Sequence, residues 1–246
     1  MLFVPPTPIK LDVLRDMLMQ YPNTVDADVL LKGFTSGFSL GFSGPRIGRL
    51  ADCLKSAKDL PLVVLDKIAK EQSLSRIAGP FDRPPFPQLQ CSPIELVPKH
   101  EPNTYRLIHH LSFPAGGSVN DFIDRDKCFV RYAPFDEAVR IVCRNGKGAW
   151  LAKSDIKSAF RLLPVAPVDY ELLGFTFQNK FYFDKCLPMG CSISCALFEK
   201  FSTFLEFCIC NLSKSSSITH YLDDFFFVGK SKAQCKYLLD EFAAMC

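Results

Sequence analysis

The chain has 246 residues, 48% of them apolar, enough to bury a sizeable core in one large domain or two smaller ones. A net charge of +3 permits a polyanionic partner without demanding one. The 11 cysteines are scattered, MLFVPPTPIKLDVLRD carries no charged-then-apolar leader, and no apolar run reaches membrane-spanning length, so the expectation is an intracellular chain with reduced thiols and no membrane partner.

Residues 9–20 repeat apolar side chains at helical spacing. GFTSGFSLGFSGP, 33–45, places Gly-Phe at 33, 37 and 41 and reads as a loop pinned by its Phe rings. Residues 61–76 read as a helix, and the Pro-rich GPFDRPPFPQ, 79–88, cannot continue it. A boundary is expected there, between a mainly helical, Pro/Gly-rich N-terminal extension, 1–88, and the remainder, 89–246. SPIELVPK (92–99) and TYRLIHHLS (104–112) read as strands around the turn HEPN, and FPAGGSVND as a loop. Residues 134–148 read as a helix with Asp136 near its start and Gly146 past its end. AWLAKSDI (149–156) reads as a strand, and ELLGFTFQNKFYFDK (171–185) as a hairpin with a Gln-Asn-Lys turn. From Cys191 to Leu212 a stripe of Ile193, Leu197, Phe201, Phe204, Leu205 and Cys208 predicts a buried helix. The last segment, 232–246, is amphipathic, with Cys235, Leu238, Phe242 and Cys246 on one side. The fold class expected is α+β.

Three acids stand out. Asp155 ends the strand in LAKSDI, and Asp223 and Asp224 interrupt the apolar run HYLDDFFFVG. Buried carboxylates are costly unless paired or bound to a metal. A tight hairpin turn at the pair would expose the carboxylates while the flanking aromatics stay buried. Asp is also common in ordinary turns, so the pair by itself is weak evidence. Three carboxylates brought together hold two divalent metals, which activate an attacking oxygen and stabilise a leaving oxygen in phosphoryl transfer. Hard oxygen ligands suit Mg²⁺, with Mn²⁺ as a substitute.

SDIKSAF, LPMGCSISCALFEKF and HYLDDFFFVG, in that order, resemble motifs A, B and C of retroelement reverse transcriptases, and LVPKHEPNTYRLIHHLS resembles the fingers region before them. HHLSFPAGGSVND, PFDEA and CALFEKF further resemble the DIRS-type, tyrosine-recombinase retrotransposons of animal genomes. The resemblance runs from about residue 28 to the C-terminus. It implies a right-hand polymerase fingers and palm, the palm an antiparallel sheet packed on helices. The implied reaction is RNA-directed DNA synthesis, in which a primer 3′-OH attacks a deoxynucleoside triphosphate on an RNA or DNA template.

The resemblance also implies roles for individual residues. Asp155, Asp223 and Asp224, with the Ile156 backbone carbonyl, hold two Mg²⁺ ions. Lys99 and Arg106 grip the triphosphate. Phe160 crowds the sugar 2′ carbon and so disfavours ribonucleotides. Met189 and Gly190 meet the nucleotide, and Tyr221 supports motif C. Backbone N–H groups of residues 156–160 are further candidates for phosphate oxygens. Two departures from relatives stand out: Met189 replaces a common Gln, and His110 and Ser112 replace Asp and Arg.

The chain stops 22 residues after Asp224 (246 − 224). It therefore reads as fingers plus most of a palm, without thumb or ribonuclease H, and with the rest of a retroelement polyprotein, ribonuclease H and tyrosine recombinase, as candidate partners. The alternative reading is an inactive retroelement remnant that at most binds nucleic acid. Of the remaining candidates, His109 and His110 fall on opposite faces of a strand, one packed and one facing solvent. Cys186, Cys191 and Cys195 have no paired C-x-x-C and argue against zinc. Lys153 and Lys157 flank Asp155, either solvated or holding phosphate.

Overall fold

The computed structural model describes residues 6–246; the first five, part of the stretch read above for a leader, lie outside the described residues. In chain order the elements are α1 (Leu11–Leu18), α2 (Thr24–Ser36), α3 (Lys55–Asp59), α4 (Pro61–Ser73), β1 (Ile77–Phe81), β2 (Ile94–Pro98), β3 (Tyr105–His109), α5 (Phe135–Asn145), β4 (Trp150–Asp155), β5 (Gly174–Phe177), β6 (Lys180–Asp184), α6 (Ser194–Ser213), β7 (Ile218–Tyr221), β8 (Asp224–Gly229) and α7 (Lys232–Met245). The class is α+β, with every pairing within these strands antiparallel. No helix among the described residues is long and apolar enough to cross a membrane.

The chain divides into two compact units, each assembled from several stretches. Of the described residues, the first comprises 6–11, 31–129 and 160–194, and the second 12–30, 130–159 and 195–246. The first unit carries the sheet β1-β6-β5 and the hairpin β2-β3. Its core gathers Ala57, Val64 and Ile68 from the helices α3 and α4 with Ile77, Ile94, Leu96, Phe175, Phe177 and Tyr182 from the strands. The β5–β6 turn is Gln178-Asn179, both at positive φ (48° and 59°), as a two-residue hairpin loop requires. Lys180, expected in that turn, is already the first residue of β6.

The second unit carries the sheet β4-β8-β7, with β8 in the centre. A central strand is buried on its ladder and on at least one face, which is why DFFFVG tolerates so many aromatics. Phe225 and Phe227 are fully buried and meet Phe242 of α7, with ring centroids at 4.4 and 5.3 Å. Helix α7 is capped by Ser231, whose hydroxyl accepts from the Gln234 N–H. All six residues of the α6 stripe are buried.

Four local expectations need correction. Gly33 is not in a loop: α2 runs through it to Ser36, because the first Gly-Phe pair continues the apolar helical face and only Gly37 (φ 94°) leaves it. The helix expected over residues 61–76, α4, ends at Ser73, since Ser75 turns left-handed at φ 59° and β1 begins at Ile77. The turn between β7 and β8, expected at the Asp223–Asp224 pair, falls one residue earlier at Leu222–Asp223, and Asp224 is already the first residue of β8. His110 does not face open solvent; it is half-buried, and its Nδ1 lies inside the protein.

Candidate functional site

The acids come together through strand pairing in the second unit. Antiparallel register along β4 and β8 sets Asp155 opposite Asp224. The Ile156 N–H donates to the Asp223 carbonyl at 2.9 Å, extending the ladder past the end of β4. Two acids 68 positions apart (223 − 155) therefore meet at one strand end. The Asp155 carboxyl is close enough to the half-buried Asp223 carboxyl to act on it. Burial, and then the nearby negative charges of Asp155 and Asp224, push the Asp223 carboxyl above the usual range. Lys153 Nζ lies 2.9 Å from Asp224 Oδ1, and that pairing raises the lysine. Among the described residues no three His, Cys, Asp or Glu side chains converge as a ready-made metal cage. The donor chemistry nonetheless fits a hard dication: oxygens only, on one strand end, with mutual repulsion that a cation would relieve.

The β7–β8 connection has two residues, Leu222 and Asp223, closed by the Tyr221–Asp224 pair. Leu222 sits at φ 53°, a left-handed conformation costing a residue with a Cβ roughly 1–2 kcal/mol. Tyr221 is more than half exposed, and its ring packs on Tyr132 at 4.7 Å. One rung earlier His220 is buried and stacks on Phe225 at 5.2 Å. Its Nδ1 lies 2.6 Å from Glu206 Oε2 and its Nε2 3.2 Å from Glu199 Oε1. Sequence reading missed this trio. The signal was available as two glutamates seven apart, on one face of an otherwise apolar helix.

The expected phosphate cradle is smaller than residues 156–160 suggested. The Ile156 N–H serves Asp223, and the Ala159 N–H donates to the Ile156 carbonyl at 3.2 Å. Both donors are spent holding the turn after β4, where Ser158 and Ala159 adopt positive φ.

The other expected residues belong to the first unit. Lys99 and Arg106 are both exposed on the β2–β3 hairpin, Arg106 opposite Val97 and Lys99 just past the end of β2, where its N–H bonds the Thr104 carbonyl. Phe160 is half-buried in the 3₁₀ turn Ala159–Leu162, and its carbonyl accepts from Leu163. Met189 and Gly190 lie in the loop before α6. The His109 N–H donates to the Met189 carbonyl at 2.9 Å, and Asn120 Nδ2 donates to the Gly190 carbonyl at 2.8 Å. Gly190 is at φ 110°, and a Cβ there would stand 2.0 Å from the His109 carbonyl oxygen. Asn120 also accepts from the Ser192 N–H and donates to Ser112, so Ser112 braces the same loop.

Beneath this loop lies a buried ionic network that sequence reading also missed. Asp184 meets His109 Nδ1 at 3.1 Å and Arg161 Nη1 at 2.6 Å, and Arg161 Nε reaches Glu71 at 2.9 Å. Burial works against the Asp184 carboxylate, but Arg161 and His109 outweigh it and hold the carboxyl below the usual range. Burial likewise pushes the Cys186 and Cys191 thiols up to about 12, which suits packing rather than thiolate chemistry.

Residues 97–246 match the family model described as reverse transcriptase (RNA-dependent DNA polymerase). Comparison with curated proteins finds no match. Among solved structures, the foamy viral protease-reverse transcriptase dRH in complex with double-stranded DNA superposes with a TM-score of 0.62 at 16% identity, over 97% of this chain and 42% of that one. The prototype foamy virus protease-reverse transcriptase in its native form gives 0.55 at 21% identity, over 82% of this chain and 24% of that one. A foamy viral protease-reverse transcriptase in complex with double-stranded DNA gives 0.58 at 18% identity, over 100% of this chain and 50% of that one. At these identities the likeness concerns the fold, and the chain spans half or less of each of these proteins.

Proposed function

The chain belongs to the reverse transcriptase family, and from that premise we propose that it carries the fingers and palm of an RNA-directed DNA polymerase from a retrotransposon of the DIRS type. The observation that carries the reading is the pairing of Asp155 with Asp224 on the last rung of β4, with Asp223 tied to the same strand end by the Ile156 N–H. HHLSFPAGGSVND, PFDEA and CALFEKF support the subfamily. On this reading residues 89–246 are the polymerase portion and 1–88 its extension. The partners are a primer, an RNA or DNA template and a deoxynucleoside triphosphate.

Asp155, Asp223 and Asp224, with the Ile156 carbonyl, would hold two Mg²⁺ ions. Such ions supply activation of the attacking oxygen and stabilisation of the leaving oxygen. The rest is positioning by the chain's own groups. Asp223 is held beside Asp155 by the Ile156–Asp223 backbone bond. Lys99 and Arg106, exposed on their hairpin, offer a point charge and a planar fork for phosphate oxygens. The ring of Phe160 opposes a ribose 2′-OH. Gly190, with no Cβ, lets its loop lie against the His109 carbonyl and so presents that loop to the nucleotide, and Met189 packs where an amide is common in relatives.

Primer extension by the full chain with Mg²⁺, on RNA and DNA templates, tests the reading. The expected outcome is template-directed addition that Asp223→Asn abolishes, with ribonucleotide addition gained in Phe160→Val. Binding of primer–template with no extension under any metal would favour the remnant reading instead.

A further inference from the structure

We propose that His220, clamped between Glu199 and Glu206 of α6, is a positioning residue that fixes the Leu222–Asp223 turn and through it the place of the Asp223 carboxyl beside Asp155. The proposal rests on the reading of these acids as a cation centre. A left-handed Leu in a two-residue connection does not hold itself: the Tyr221–Asp224 pair closes the loop, and the Ile156 N–H ties the Asp223 carbonyl, while Leu222 itself leans on the strand before it. The next rung, His220 opposite Phe225, is therefore where the hairpin end must be anchored. Phe225 is immobilised between the His220 ring and Phe242.

Nδ1 hydrogen-bonds Glu206, and Nε2 lies 3.2 Å from Glu199 Oε1 as an ion pair without hydrogen-bond geometry, so the ring faces both carboxylates favourably only with a proton on each nitrogen. A histidine that merely fills space needs one partner. An apolar side chain would fill the same rung without burying a charged cluster, which is seldom a net source of stability. What the cluster adds is direction: one acceptor, Glu206, and one facing charge, Glu199, on a single helix set where the ring stands, two residues before the strained Leu222. The charged and titratable groups around it are Glu199 and Glu206 from α6, with Tyr132 near Glu199, and Tyr21 and Cys210 near Glu206. Burial disfavours the ring's charge, yet the two glutamates raise it to about 9, so the clamp is closed at neutral pH.

Carbon-detected spectra of the full chain test the proposal without turnover. In the wild type the Leu222 methyl signals should follow the His220 ring as it loses its proton near pH 9, an arm that requires no variant to fold. His220→Gln should leave the α7 signals in place and move those of Leu222 and Asp223. It should also raise by about tenfold the Mn²⁺ concentration that half-broadens the Asp155 and Asp223 carboxyl carbons, with Glu206→Gln giving part of the effect. Leu222 signals that ignore both the ring titration and the variant overturn the proposal. If they move, but Mn²⁺ leaves the wild-type carboxyls sharp, the positioning role stands and the cation-centre reading fails.

Discussion

At the scale of single residues, what the sequence displays is chemistry out of place. Asp223 and Asp224 were legible because two carboxylates interrupt an aromatic run, and Asp155 because it ends an apolar strand. Asp184 was not, since one acid closing a hairpin is unremarkable until Arg161 and His109 are seen against it. That carboxylate makes its own prediction. Removing its charge leaves the buried Arg161 with Glu71 as its charged partner and the Cys186 carbonyl as a neutral one, so Asp184→Asn should lower the unfolding free energy by roughly 3–5 kcal/mol at neutral pH. Asp184 has a folded pKa below its ordinary 3.8, so its contribution is present above that value and lost as pH falls through the lower folded one. Urea titrations across this range should show the gap between variant and wild type closing on the acid side. A gap that stays constant into acid would mean that the network does not depend on the Asp184 charge.

At the scale of elements, periodicity made α6 readable, because its stripe of Phe, Leu and Cys survives intact in the core. The β7–β8 hairpin was readable from the polar pair between apolar halves, although its turn takes in Leu222 and leaves Asp224 to the strand. Register was not. Nothing local states that Asp155 faces Asp224, because a ladder between distant strands is fixed by the whole sheet. The loop before α6 was likewise read only as a motif, and its bracing by Asn120 and the His109 backbone emerged with the fold. Gly190 tests that bracing. With φ at 110° and the His109 oxygen 2.0 Å from a would-be Cβ, Gly190→Ala meets strain and backbone clash together. It should cost about 2–3 kcal/mol or more. Gly116, also at positive φ (74°) but with open space around it, isolates the strain, and Gly116→Ala should cost only about 1 kcal/mol. Equal costs at the two positions, measured by chemical denaturation, would mean that the loop yields and the close approach is not fixed.

At the scale of the molecule, the order of three motifs carried the family, and the family match over residues 97–246 agrees with it. The make-up of the two units was beyond sequence reading, because residues of the first 88 contribute to both. The central claim is that Asp155 and Asp223, far apart in the chain, act as one catalytic centre. Its most direct test is template-directed addition of a single deoxynucleotide with Mg²⁺ by the wild type, Asp155→Asn, Asp223→Asn and the double variant. Groups that work as a unit are strongly non-additive, so each single change should cost at least ~10³-fold and the double change no more than either alone. A double variant that loses the product of the two single effects, a single variant that keeps the wild-type rate, or a wild type that adds no nucleotide would contradict the account.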